Sequence, residues 1–64
     1  MIQELTYRGY TCSCNILNDG GCSCCVYGLG GNRYYFFRDT LNQAENRFHE
    51  VVDYFIQTGQ LLEA

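Results

Sequence analysis

The hydrophobic pattern of this 64-residue chain changes its period once, at Asp39 and Thr40. Before this point residues 9–16 alternate between apolar and polar, and two further short segments, the second of them aromatic, are separated by glycine, which is typical of β-strands joined by turns. After it, apolar residues recur every three or four positions, which is typical of one face of a helix. The sequence therefore predicts strands in its N-terminal part and one helix in the rest.

Three strands are predicted before the change of period. The first covers residues 7–17, the second residues 22–27 and the third residues 33–38. An Asp19-Gly20 step between the first two supplies the positive φ angles that tight hairpins need. The glycine-rich segment 28–32 separates the second strand from the third. Short connections of this kind favour an antiparallel meander.

One amphipathic helix is predicted from Thr40 onwards. Thr40 and Gln43 form a capping-box pattern, and Gly59 is a typical residue to end a helix. Because a helix and a sheet that each have one apolar face bury those faces together, we expect an α+β fold. It would be a three-stranded antiparallel β-meander packed on one C-terminal helix, β-β-β-α, as a single domain over residues 1–64. The predicted apolar stripe of the helix is Leu41, Ala44, Phe48, Val51, Val52 and Phe55.

The size and charge of the chain bear on its function. A domain of this length buries only about 60% of the surface that its unfolded chain exposes, so we expect a bound partner or a homo-oligomer. Seven Asp and Glu residues against four Arg give a net charge of −3, which attracts basic proteins and repels phosphates. No apolar run is long enough to cross a membrane and no signal-peptide pattern is present, so a cytoplasmic location is expected.

Five cysteines lie within residues 12–25, inside one predicted hairpin. We favour a three-residue loop over residues 19–21, which pairs Cys14 with Val26 and turns Val26 toward the helix. A loop with an even number of residues would instead move two of the cysteines to the other face. With the favoured loop, four cysteines share the helix side of the sheet: Cys12, Cys14, Cys22 and Cys24.

These cysteines are interpreted first as small buried core residues, because free Cys is among the most buried residue types. A zinc or iron–sulfur site is the alternative. Against it, alternate residues on one face of a strand lie about 6 to 7 Å apart, which is wide for tetrahedral binding. An odd number of cysteines in a reducing compartment also disfavours disulfides. We predict no metal and no cofactor; the ligands of any metal would be Cys12, Cys14, Cys22 and Cys24.

Four consecutive aromatic residues occupy positions 34–37 of the third predicted strand. Successive side chains of a strand point to opposite faces, so only one alternating pair can contact the helix. The other pair is exposed or covered by another chain, which makes this strand, with its free edge, a candidate interface for a second copy or for a basic protein. Acids on the helix are also candidates for contact with a basic partner. The predicted partner-binding residues are Tyr34, Tyr35, Phe36, Phe37, Glu45 and Glu50.

Short motifs at the boundaries of the predicted elements match a known family. They are Tyr7-Arg8-Gly9-Tyr10-Thr11, Asp19-Gly20, Val26-Tyr27-Gly28-Leu29 and Asp39-Thr40-Leu41, and on the helix Ala44-Glu45, Phe48-His49-Glu50 and Val52-Asp53-Tyr54-Phe55. Over residues 5–59 the chain resembles the N-terminal, partially degraded ribonuclease-H-like domain of the HicB antitoxins.

The resemblance implies an antitoxin that binds and masks a small basic RNA-cleaving toxin of the HicA type. Full-length members of the family usually add a C-terminal DNA-binding domain. This sequence ends at Ala64, so we expect that domain to be absent and DNA not to be bound by this chain alone.

Catalysis is not predicted. The seven acids are scattered over turns, a terminus and the helix, whereas nuclease chemistry with two metals needs carboxylates that converge. His49, the single histidine, is expected to be exposed or paired with a helix glutamate. Two other functions stay open. One is a small oligomeric protein with cysteine-bound zinc or iron–sulfur. The other is a sheet that binds single-stranded RNA through the aromatic run between Arg33 and Arg38.

Overall fold

The computed structural model describes residues 1–63, which form four strands followed by one helix. The strands make one antiparallel sheet in the order β1-β2-β3-β4, and the helix packs on one face of it. The α+β class, the antiparallel meander and the C-terminal helix are therefore confirmed, whereas the predicted number of three strands is wrong. The elements are β1 Ile2–Tyr7, β2 Tyr10–Ile16, β3 Cys22–Leu29, β4 Asn32–Arg38 and α1 Leu41–Thr58.

The additional strand arises because the chain turns at Arg8 and Gly9, where one continuous strand over residues 7–17 was predicted. These two residues have φ angles of 52° and 85°, as in the two-residue turns of tight hairpins. A non-glycine residue with positive φ is uncommon, so an Arg-Gly step is a weak turn signal. The turn is supported from the helix, since the Arg8 guanidinium donates a hydrogen bond to Asp53 at 2.8 Å.

The loop between β2 and β3 has three residues, as predicted, but it lies one position earlier. The Leu17 N–H donates a hydrogen bond to the Gly21 carbonyl at 2.8 Å, and the loop that this pair closes comprises residues 18–20, with Gly20 at a φ of 91°. Cys14 therefore pairs with Cys24, not with Val26 as predicted. Because this register differs from the predicted one by two residues, every side chain keeps its predicted face.

The turn between β3 and β4 is shorter than the predicted segment 28–32. Only Gly30 and Gly31 form it, with φ angles of 64° and 82°, and the two strands continue to either side. The register of the pair shifts between Val26 and Leu29. This shift turns Leu29 to the helix side of the sheet, where it is fully buried.

The helix and its apolar stripe agree closely with the prediction. The Thr40 hydroxyl accepts a hydrogen bond from the Gln43 N–H at 3.2 Å, and Gly59 ends the helix with a left-handed φ of 73°. Four stripe residues are fully buried: Ala44, Phe48, Val51 and Val52. They pack against a sheet face that carries Cys12, Cys14, Cys22, Cys24, Val26 and Leu29.

The central residue of this contact is Phe48, so its removal tests the assigned core. Phe48→Ala leaves a cavity and is expected to cost about 3 to 5 kcal/mol, which is comparable with the roughly 3 to 10 kcal/mol available to a domain of this length. We expect F48A to lose most of its helical circular dichroism and its cooperative urea transition. Ile56→Ala, at an exposed position of the same helix, is the control. A cooperative transition of F48A at the wild-type urea concentration contradicts the assignment.

Candidate functional site

The two faces of the sheet differ in chemistry. The inner face lies under α1 and holds four of the five cysteines. The outer face, which points away from the helix, carries the exposed aromatic residues of β3 and β4. The described residues form no pocket, and the candidate sites are one arrangement of side chains on each face.

Three inner-face cysteines, Cys12, Cys14 and Cys24, form a thiol cluster. Cys12 and Cys14 are alternate residues of β2, and Cys24 lies opposite Cys14 on β3. Their Sγ atoms lie within 4.8 Å of one another. The Cys24 thiol donates a hydrogen bond to the Cys14 sulfur at 3.0 Å, and the sulfurs of Cys12 and Cys14 are 3.6 Å apart. All three side chains are buried.

The structure brings together three of the four cysteines named as ligands of any metal. Cys22 lies on the same face, but its thiol is directed to the Gly20 carbonyl at 3.9 Å and is not part of the cluster. The spacing of about 6 to 7 Å between alternate residues of a strand does not keep these sulfurs apart. It applies to backbone positions, whereas side-chain rotation brings the Cys12 and Cys14 sulfurs to 3.6 Å.

The electrostatics of the thiol cluster favour neutral thiols in the chain as it stands. Burial raises the pKa of Cys12 well above its usual range, and the nearby Cys14 sulfur raises it further. Burial likewise raises the pKa of Cys24 to about 12, again with Cys14 as a contributor. A thiolate in this apolar environment lacks solvation, so it forms only where a metal cation binds it.

The outer-face patch consists of Cys25, Tyr27, Tyr35 and Phe37. Tyr35 lies directly opposite Cys25, and the exposed fractions of Tyr35, Phe37 and Tyr27 are 68%, 48% and 40%. Cys25 is buried although it points away from the helix. At the margin of the patch the Arg33 guanidinium lies 5.6 Å from the centre of the Tyr27 ring.

The six predicted partner-binding residues do not form one surface. Tyr34 and Phe36 are half-buried on the inner face, where the Tyr34 hydroxyl accepts a hydrogen bond from Arg47 at 2.8 Å. Glu45 and Glu50 are exposed on the helix, on the side of the domain opposite the patch. Only Tyr35 and Phe37 lie in the patch.

Sequence reasoning missed two members of the patch, Cys25 and Tyr27. Both could have been found from the alternation of side chains along β3. Because Cys24 and Val26 face the helix, the residue that follows each of them lies on the outer face. The predicted partner-binding residues included the four aromatic residues of β4 but none from β3.

A third cluster joins the β1–β2 turn to the helix. The Tyr7 hydroxyl donates to the Asp53 carboxylate at 3.0 Å, and Arg8 forms an ion pair with the same group. His49 stacks on the Tyr7 ring with 3.8 Å between centroids. The expectation that His49 is exposed or paired with a glutamate is therefore wrong; it is half-buried against an aromatic ring.

The chain matches no protein-family model, no curated protein and no solved structure. The similarity to the HicB antitoxins stays a prediction, carried by the motifs named above. No helix among residues 1–63 combines the length and the apolar character needed to cross a membrane.

The Asp53 contacts predict an acid-dependent contribution to stability. Hydrogen bonds from Arg8 and Tyr7 lower the pKa of Asp53. A carboxyl group with a lowered pKa stabilises the fold above its unfolded pKa, near 3.8, and this contribution is lost as the pH falls through the folded pKa. We expect Asp53→Asn to lower the urea midpoint at pH 7, and the difference from wild type to shrink below pH 4.

The control for this prediction is Glu50→Gln, which removes an exposed acid from the same helix. The contact between Arg8 and Asp53 is the only ion pair among residues 1–63, so E50Q is expected to leave the urea midpoint at its wild-type value at pH 7. If the effect of D53N is the same at pH 7 and at pH 2, the carboxylate charge is not what stabilises this contact.

Proposed function

We propose that this chain is a protein-binding module of the HicB antitoxin type, which binds its partner through the outer-face patch and the free edge of β4. The observation that carries the proposal is the exposure of Tyr35 and Phe37, 68% and 48%, on the last strand of the sheet. Exposed aromatic side chains are enriched in the centres of protein interfaces, where they provide most of the binding energy.

The position of the patch at a sheet edge supports the proposal. β4 pairs with β3 on one side only, so its other side presents backbone N–H and C=O groups to a further strand. Strand addition uses these backbone groups for affinity and the neighbouring side chains for specificity. Tyr35 and Phe37 lie beside this edge and are suited to the second role.

The charge of the chain supports a basic partner. At a net charge of −3, the domain attracts a cationic protein over a distance and raises its rate of association. Glu45 and Glu50 on the helix contribute to this field without touching a partner on the outer face. A small basic RNA-cleaving toxin of the HicA type has the required charge, and masking it in the cytoplasm requires no catalytic group from this chain.

A second copy of the chain is the other occupant that this surface accommodates. In the absence of toxin we propose that the patch is shared between two copies, because a domain of this size buries little surface by itself. Binding of toxin then competes with this contact. Sedimentation of the chain with and without toxin separates the two occupants by mass.

The direct test is co-purification of the chain with the small basic protein encoded next to it, followed by an RNA-cleavage assay. We expect a stable complex in which cleavage by the partner is suppressed. A partner that cleaves RNA equally well in the presence of excess chain contradicts the antitoxin function, and the absence of any complex contradicts the binding function.

Binding kinetics distinguish the contact surface from the steering charges. Tyr35→Ala removes a contact at the proposed interface and is expected to raise the dissociation rate about 10- to 100-fold. The double variant Glu45→Gln with Glu50→Gln is expected to lower the association rate a few-fold at low salt, with about the wild-type rate at high salt.

Ile56→Ala is the matched control, because Ile56 is an exposed apolar residue on the helix side. It is expected to keep both rate constants. Surface plasmon resonance at two salt concentrations measures all four proteins. An unchanged dissociation rate for Y35A, together with an increased rate for I56A, would place the interface on the helix and overturn the proposed surface.

A further inference from the structure

The thiol cluster has a feature that core packing alone does not require. Packing explains why cysteines are buried, since they fill the volume of small hydrophobic residues. It does not explain why three sulfurs face one another, at 3.0 Å and 3.6 Å from the central Cys14. Cys22 shows the other arrangement on the same face, with its thiol directed to a backbone carbonyl.

The distances in the cluster suit one metal ion bound by three sulfurs. A metal–sulfur bond of about 2.3 Å places three ligands of a trigonal site about 4 Å from one another. The three Sγ atoms already lie within 4.8 Å of one another. Small side-chain rotations are therefore sufficient to bring the three sulfurs to this separation, without a change in the backbone of β2 or β3.

We propose that Cys12, Cys14 and Cys24 bind a single Cu(I) ion in a three-coordinate site between the sheet and the helix. Thiolates select soft ions, above all Cu(I), Zn²⁺ and iron–sulfur clusters. Structural zinc takes four ligands and iron–sulfur clusters take four cysteines, whereas three sulfurs converge here. Cu(I) forms stable complexes with three sulfur ligands and does not need a fourth.

The burial of the cluster determines how the ion enters. Cys12 and Cys14 are fully buried and Cys24 is 3% exposed. The ion therefore reaches them only while α1 is not packed against β2 and β3, either during folding or after unfolding. Metal binding is then coupled to folding. Each bond to a thiolate releases one proton to solvent, and copper stays in the Cu(I) state, so that no oxidant or reductant takes part.

The test uses the full chain, reduced and unfolded in urea, and refolded without oxygen in the presence of acetonitrile-complexed Cu(I). We expect one copper per chain after desalting, a higher melting temperature than for the metal-free chain, and three sulfur neighbours in the X-ray absorption spectrum of copper. A parallel sample refolded with Zn²⁺ is expected to hold no metal after desalting.

Cysteine variants assign the ligands. Cys14→Ala is expected to lose the copper, whereas Cys25→Ala and Cys22→Ala are expected to keep it. Cys25 is the matched control, because it lies in β3 next to Cys24 but points to the outer face. Copper retained equally by C14A, or lost equally from C25A, overturns the site. Zinc retained by wild type and lost from C22A would show a four-cysteine zinc site instead and overturn the assignment to copper.

The spectrum of the wild-type protein keeps the proposal testable if C14A does not fold. Copper with two sulfur neighbours, or with nitrogen or oxygen neighbours, contradicts the three-cysteine site whatever the variants do. Wild-type protein that holds no copper after refolding also contradicts the site. This test is independent of toxin binding, which uses the other face of the sheet.

Discussion

The fold depends on the packing of α1 against the sheet, and most of the side chains buried at this contact are small. The buried contact consists of cysteines, Val26 and Leu29 from the sheet with Ala44, Phe48, Val51 and Val52 from the helix. Partly buried residues surround this contact: Leu5, Tyr7, Tyr10, Ile16, Tyr34, Phe36, Leu41 and Phe55. Since a well-packed core tolerates extra volume poorly, the cysteines suit the contact by size as well as by chemistry.

This contact divides the sheet into two faces with different surroundings. The inner face is fully used by the helix, and its thiols are removed from water. The outer face keeps Tyr35 and Phe37 exposed beside a free strand edge. A protein bound at the outer face would leave the thiol cluster intact, so the proposed partner binding and the proposed metal binding would respond to substitutions on different faces.

Much of this arrangement was predictable, because the hydrophobic period and the turn residues depend only on residues that are close in sequence. The stripe around Phe48, the Thr40 cap and the shared face of Cys12, Cys14, Cys22 and Cys24 all followed from the residues. The strand Ile2–Tyr7 did not, since Arg8-Gly9 is a weak turn signal and the contact of Arg8 with Asp53 joins residues 45 positions apart. The convergence of three sulfurs also required the structure, because strand spacing specifies backbone positions and leaves the rotation of each side chain open.

Amide hydrogen exchange of the free chain and of the chain saturated with the proposed toxin partner tests the central proposal, that the β4 edge and the outer face form the binding surface. An edge strand exchanges by local opening, whereas core amides require global unfolding. We predict that toxin slows exchange most strongly within β4, Asn32–Arg38, and leaves exchange on the exposed side of α1 nearly unchanged. Slowing concentrated in α1, with β4 unchanged, would contradict it.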